Sequence, residues 1–221
     1  MTATRTSRAA EDWIFDGGAL ALDFLNTLRD RTRRPRETLH TTEDLVEWFD
    51  CALAAGAVVP PGAAIPAQAP PGGRSTEAAQ IPGADEARIG GGSARLLAEA
   101  RRLRAAIDAL LSPGLHPTAA DARRINRRAR GAPVPRLDED HPDRTVAVGF
   151  GARDVLGAVA ADAIALVAAG EAKGVKVCAH ERCGLRFLDQ SRGGRRKWCS
   201  MERCGNRAKA ARHAAGKATV G

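Results

Sequence analysis

The sequence predicts a mainly α-helical protein with a little β structure. A helical N-terminal domain occupies residues 1–170, and a small four-cysteine module occupies residues 171–221. Three observations carry that reading. Apolar residues recur at helical spacing in four segments before residue 170. Four of the five cysteines fall between Cys178 and His213. The charge also steps at the same boundary: residues 1–170 hold 21 Arg, no Lys and 22 acids, whereas residues 171–221 hold five Lys and eight Arg against four acids.

At 221 residues and 44% hydrophobic content, the chain has room for one medium domain with a real core plus a small module. No run of about 18 uncharged apolar residues exists, so no membrane span is expected. The opening MTATRTSRAAEDW has no apolar segment of the signal-peptide kind, which makes the reducing cytoplasm the expected location. Clustered cysteines there bind metal rather than pair as disulfides.

In chain order, residues 1–10 read as a frayed tail and Trp13-Ile14-Phe15 as a short strand or packing anchor. From Ala19 to Leu28, Leu20, Phe24, Leu25 and Leu28 share one helical face. Asp23, Asn26 and Thr27 interrupt it, and capping or backbone bonding outweighs a pocket role for them. Arg29, Arg31, Arg33, Arg34 and Arg36 around Pro35 read as a solvated loop, with a second phosphate contact as the sharper alternative. Thr41 or Thr42 caps a helix to about Ala55, with Leu45, Trp48, Phe49 and Leu53 inward and Gly56 past its end. Cys51 is a core residue of that helix.

Residues 57–92 hold six of the twelve prolines and few large apolar side chains, so they read as a flexible insertion. Ser93 is expected to cap the next helix, with Leu96, Leu97, Ala100, Leu103, Ile107 and Leu110 as its apolar stripe before Pro113. Thr118 opens a helix whose arginines form a wet face, Thr145 to Phe150 reads as a short strand, and Asp154 to Ala169 is a core helix. No nucleophile–base pairing or cofactor motif suggests an enzyme; Asp23, His40 and the Arg29–Arg36 loop are the nearest candidates.

Cys178/Cys183 and Cys199/Cys204 each enclose four residues, and fifteen residues separate the pairs. Two short brackets joined by a loop suit tetrahedral thiolate coordination of one structural Zn²⁺. His180 is the minor rival ligand. Gly184 lets the chain turn after Cys183, Leu185 to Leu188 and Arg195 to Trp198 are expected to form a hairpin, and Ser200 to cap a helix carrying Cys204 in its first turn. At 100° per residue Cys204, Ala208, Ala211 and Ala215 share a face, which would let that helix lie against the hairpin and metal. Knuckle, hairpin and helix together resemble a treble-clef zinc module. Four thiolates with Zn²⁺ would leave it at about +7, and that charge points to a polyanionic partner, nucleic acid before membrane.

The run from Cys178 through Phe187-Leu188-Asp189 and Arg196-Lys197-Trp198-Cys199-Ser200 to Cys204-Gly205-Asn206-Arg207-Ala208-Lys209 resembles the bacterial CGNR zinc finger. GALALDFLNTL (Gly18–Leu28), the helix around Leu45–Trp48 and the helix before Cys178 are similar to the ABATE domain that precedes that finger. The resemblance implies a stress-linked transcriptional regulator with a DNA-binding finger. Phosphate contacts would then come from Arg192, Arg195, Arg196, Lys197, Arg203, Arg207, Lys209 and Arg212, and the helix from Ser200 would sit near the major groove. One finger is a small interface, so specificity would call for a homodimer or second protein, with the N-terminal domain as the dimerisation or ligand-sensing part. The rival reading is a protein-interaction or RNA-binding adaptor, in which Trp198 or Phe187 would stack on bases.

Overall fold

Helix α1 (Leu20–Leu25) forms the centre of the molecule: all six of its residues are buried. Its N-cap, Ala19, offers no side-chain acceptor, so the free N–H groups of the first turn need partners from elsewhere. The backbone N–H of Ala21 donates to Asp162 Oδ2 at 2.7 Å, from a helix far along the chain. Asp23 Oδ1 in turn accepts from Gly17 N–H at 2.8 Å. The computed structural model describes residues 13–56, 89–133, 137, 139, 141 and 151–218. Most of the expected 57–92 insertion, the N-terminal tail and the expected strand at 145–150 lie outside them.

The helix ends at Leu25 rather than reaching Leu28, because Asn26 and Thr27 turn their side chains to other backbone. Thr27 Oγ1 donates to Phe24 O at 2.7 Å, closing the last turn. Leu28 then opens β1 (Leu28–Arg29), which pairs antiparallel with β2 (Arg36–Glu37). The arginine-rich segment is thus the tip of a hairpin rather than a free loop. Arg31 folds back from that tip, donating to Leu28 O at 3.2 Å and to Asp108 Oδ2 at 2.6 Å. Glu37 accepts from Arg104, which is 5% exposed and also donates to Thr27 Oγ1. Burial raises the Glu37 carboxyl, but the Arg104 bonds outweigh it and hold it below its usual range.

Helix α2 (Thr42–Ala54) starts at a capping box: Thr41 Oγ1 accepts from Asp44 N–H, and Asp44 accepts from Thr41 N–H. Its Trp48 packs against Phe24 with ring centroids 5.5 Å apart, and Phe15 and Phe49 complete an aromatic cluster. Trp13 is buried as a packing anchor, and no strand forms there. Helix α3 (Ile89–Leu111) begins before the expected cap at Ser93 and runs through the glycines. It buries Ala100, Leu103, Ile107 and Leu111, whereas Leu96, Leu97 and Leu110 are only half-buried.

Helix α4 (Ala119–Ala129) carries a Thr118/Asp121 capping box and buries only Ile125; Arg123 and Arg127 are exposed, whereas Arg128 is half-buried in an ion pair with Glu99 rather than on the expected wet face. Helix α5 (Ala152–Ala168) packs on α1, α2, α3 and α4 and closes the core. A Cβ at its Gly157 would lie 2.4 Å from Gly131 O, so backbone meets backbone there and only glycine fits. After α5, Gly170 (φ 73°) and a short 3₁₀ turn lead into β3 (Val175–Val177), antiparallel to β4 (Arg186–Leu188). The partner of β4 is therefore Val175–Val177 and not the expected Arg195–Trp198, which forms no strand. A π-helical turn (Met201–Gly205) and α6 (Asn206–Ala218) end the described chain. Among the described residues no helix is long and apolar enough to cross a membrane.

Candidate metal centre and basic surface

Strand β4 is shared between two cores. Leu188 and Val175 pack into the helical core, while Leu185 and Phe187 pack with Cys178, Cys199 and Cys204. That split follows from the two-residue period of a strand, which sends alternate side chains to opposite faces. Arg186, on the helical side, donates from Nε to Asp108 Oδ1 at 2.9 Å and from Nη1 to Gly184 O at 2.6 Å. Asn26 clamps the same residue's backbone, accepting from Arg186 N–H and donating to Arg186 O, each at 2.9 Å. Leu188 N–H donates to Gly17 O at 2.7 Å. The cysteine module is docked on the helical domain through β4.

The first bracket is a knuckle. Cys183 N–H donates to His180 O at 2.9 Å and Cys178 N–H to Leu185 O at 2.8 Å. Gly184 (φ 65°) supplies the left-handed turn, and a Cβ there would meet Thr32 Cγ2 at 3.1 Å. The glycine thus serves both the turn and the close approach to the β1–β2 hairpin. Ala179 N–H donates to Lys197 O at 2.9 Å, which brings the second bracket alongside. In that bracket Ser200 accepts from Arg203 N–H, and both Cys204 N–H and Gly205 N–H reach Ser200 O. This tight turn sets Cys204 opposite Cys199.

The four sulfurs of Cys178, Cys183, Cys199 and Cys204 lie within 4.8 Å of one another. Two separations are 3.7 Å (Cys183–Cys199) and 3.8 Å (Cys199–Cys204). A zinc–sulfur bond of about 2.3 Å in a tetrahedron requires sulfur–sulfur edges of about 3.8 Å, so the cage fits one such ion. Hydrogen bonding to Cys178 and burial push the Cys183 thiol up to about 12, and Cys199 moves in the same direction for the same reasons. The Cys178 sulfur, receiving those bonds, moves down. Four thiolates this close repel one another strongly, and a bound cation is what would let all four ionise. His180 takes no part: its Nδ1 accepts from Arg182 N–H.

The expected phosphate-contacting residues divide. Arg192, Arg195, Lys197, Arg207, Lys209 and Arg212 are exposed. Arg196 is exposed as well, but it also donates to Trp198 O and Cys199 O and lies 4.8 Å over the Phe187 ring, bracing the metal loop. Arg203 is half-buried in an ion pair with Asp16. Helix α6 does not lie against the hairpin as expected. It packs on the π turn at its own start, and Lys209 to Arg212, Ala214 and Ala215 are all exposed. Phe187 is fully buried and so removed from any base-stacking role, and Trp198 is half-buried against the cysteine core.

Three determinants were not identified from the sequence. Asp189 organises the basic loop, its Oδ2 accepting from Lys176 Nζ at 2.7 Å and Arg196 N–H at 2.9 Å, and its Oδ1 from Ser191 Oγ at 2.6 Å. Those bonds, Lys176 first, hold its carboxyl far below the usual range. An Asp two residues before Ser, followed by Gly-Gly, is an Asx-turn signal that local reading can find. The Asn26 clamp and the Asp108 bridge have no local signal. The N-terminal domain also carries an open cavity of about 700 Å³ between α2, α3 and α5, lined by Glu43, Val46, Glu47, Asp50, Leu96 and Arg153.

Fold and site together define a helical domain that grips a four-cysteine metal-binding finger by strand β4. The chain belongs to the ABATE family: residues 18–170 match the ABATE family model, described as "putative stress-induced transcription regulator". Residues 175–217 match the CGNR zinc finger. No curated protein matches the chain.

Proposed function

We propose that this protein is a DNA-binding transcriptional regulator in which Cys178, Cys183, Cys199 and Cys204 hold one structural Zn²⁺. Bound there, the ion would supply folding free energy and charge compensation, and with four sulfur ligands it would leave no open position for catalysis. The observation that carries the DNA reading is α6, a basic helix that packs on the π turn at its start and holds Arg207, Lys209 and Arg212 exposed. A helix that presents exposed cations to solvent is available to a polyanion. Lys197, Arg192 and Arg195, on the loop ordered by Asp189, extend the same chemistry. The family's description as a transcription regulator agrees with it. In this reading the groove of about 700 Å³ between α2, α3 and α5 is where the N-terminal domain would take a small-molecule ligand, and a homodimer would double the small DNA interface.

The test is a titration of zinc-loaded protein against duplex DNA over a salt series, with Arg207→Ala/Lys209→Ala/Arg212→Ala for comparison. The wild type should show a log–log salt slope of roughly −3 to −5, and the variant a shallower one with its fold and zinc content intact. Absence of binding at low salt by zinc-loaded protein would overturn the proposal and leave a zinc-dependent interaction module as the reading.

A further inference from the structure

Beside the metal centre, the tip of the β1–β2 hairpin and the first cysteine knuckle enclose a hollow of about 520 Å³ lined by Asp30, Arg33, Arg34, Pro35, Arg36 and Arg182. We propose that this hollow is a phosphate-binding site built jointly by the N-terminal domain and the finger.

Its charge is the first argument. Four guanidiniums surround it. Arg33 is partnered by Glu181 at 3.5 Å and Arg36 by Asp30 at 3.8 Å. Arg34 and Arg182 are exposed, and among the described residues neither meets a carboxylate. Two unneutralised guanidiniums converging on one concavity favour an anion with several acceptor oxygens, and planar five-donor groups match a phosphate in particular.

Rigidity is the second. The platform is held before any ligand arrives. Arg33 N–H and Arg34 N–H both donate to Asp30 O at 3.1 Å, and Asp30 itself sits at φ 51°. Arg31, between them in sequence, is drawn inward to Asp108 and so points away from the hollow. Thr32 Oγ1 donates to Glu181 O at 2.7 Å and fastens the hairpin to the knuckle that carries Arg182. The backbone that presents Arg33, Arg34 and Arg182 is thus fixed, and binding has only their side chains left to order.

Position is the third. The knuckle that supplies Arg182 is bonded to the second bracket through Ala179 N–H and Lys197 O. Arg182 therefore belongs to a knuckle that is tied directly to the segment carrying the exposed Lys197. Its phosphate could belong to a nucleic-acid backbone or to a small phosphorylated molecule. The site does not depend on the regulator reading; only the choice between these two sources does.

The experiment follows arginine side-chain Nε–Hε resonances of the zinc-loaded full chain as inorganic phosphate is added. The resonances of Arg33, Arg34 and Arg182 should shift saturably, and Arg34→Ala/Arg182→Ala should weaken the apparent Kd about tenfold or more. Arg207→Ala/Lys209→Ala/Arg212→Ala should leave phosphate binding unchanged. In a second arm, duplex DNA is titrated over a salt series. A slope reduced by about one in Arg34→Ala/Arg182→Ala assigns the site to a backbone phosphate. An unchanged slope with phosphate binding retained assigns it to a phosphorylated small molecule. If phosphate leaves the three resonances unmoved, or moves the remaining arginines equally in the double variant, the site does not exist. Loss of the duplex arm alone would sink only the regulator reading.

Discussion

Asp108 is one of the residues through which the helical domain holds the finger, and replacing it gives a measurable test of that docking. Its carboxylate bridges Arg31 (Nη1 to Oδ2, 2.6 Å) and Arg186 (Nε to Oδ1, 2.9 Å), and the three side chains are only 12%, 12% and 16% exposed for Arg31, Arg186 and Asp108. Removing one partner of a buried pair costs about 3–5 kcal/mol, because the surviving charge stays desolvated. Here two guanidiniums survive, but each keeps a carbonyl: Arg31 that of Leu28, Arg186 that of Gly184. The low end of the range is therefore expected. For Asp108→Ala this means a loss of about 3 kcal/mol, or a Tm lower by about 6–12 °C in a chain of this length. Asp108→Asn keeps an acceptor without the charge and should lose about half as much. Thermal unfolding by far-UV circular dichroism reads both variants, and release of zinc to a chromophoric chelator reads the finger. Zinc should leave Asp108→Ala faster than wild type. A zinc-loaded Asp108→Ala protein that melts within about 2 °C of wild type would refute the docking argument.

Two further outcomes follow from the same geometry. Burial raises the Asp23 carboxyl to about 7 and that of Asp162 to about 6, so the folded chain binds protons more tightly than the unfolded one. Stability from these groups is complete below pH 4 and declines as pH rises towards 7, by roughly 4 kcal/mol for Asp23 alone. Asp23→Asn, which retains an oxygen for Gly17 N–H, should lose most of that dependence when urea midpoints are compared from pH 5 to 8; parallel curves would contradict the assignment. Removing zinc with a chelator should also destabilise the helical domain. If β3 and β4 detach, Val175 and Leu188 leave its core at about 1.5–3 kcal/mol each. Metal-free protein melting at the wild-type temperature would show that the two cores are independent.

The sequence by itself determined the elements whose signals are local. Thr41 with Asp44 and Thr118 with Asp121 are capping boxes legible over four residues, and both start the helices expected of them. The cysteine spacing marked the metal cage, because brackets of that size close within a turn. Tertiary structure decided what depends on partners distant in the chain. α1 stops at Leu25, and Asn26 instead clamps Arg186, 160 residues away. Arg31 and Arg104 were equivalent to their neighbours as charges, yet each is drawn inward by an acid, Asp108 or Glu37, 77 and 67 residues distant. Strand β4 pairs with Val175–Val177 rather than Arg195–Trp198, whose Arg196 N–H is taken by the Asp189 side chain, while Lys176 of β3 donates to the same carboxylate and to Gly194 O and holds that segment as a loop. Helix α6 had a small-residue face suited to packing, but alanines bury little apolar area, and Ala211 and Ala215 of that face are exposed. A short-range pattern fixes which conformation a segment prefers; which of several equal cations or strands is buried is settled only when the chain closes and a specific partner offsets the desolvation cost.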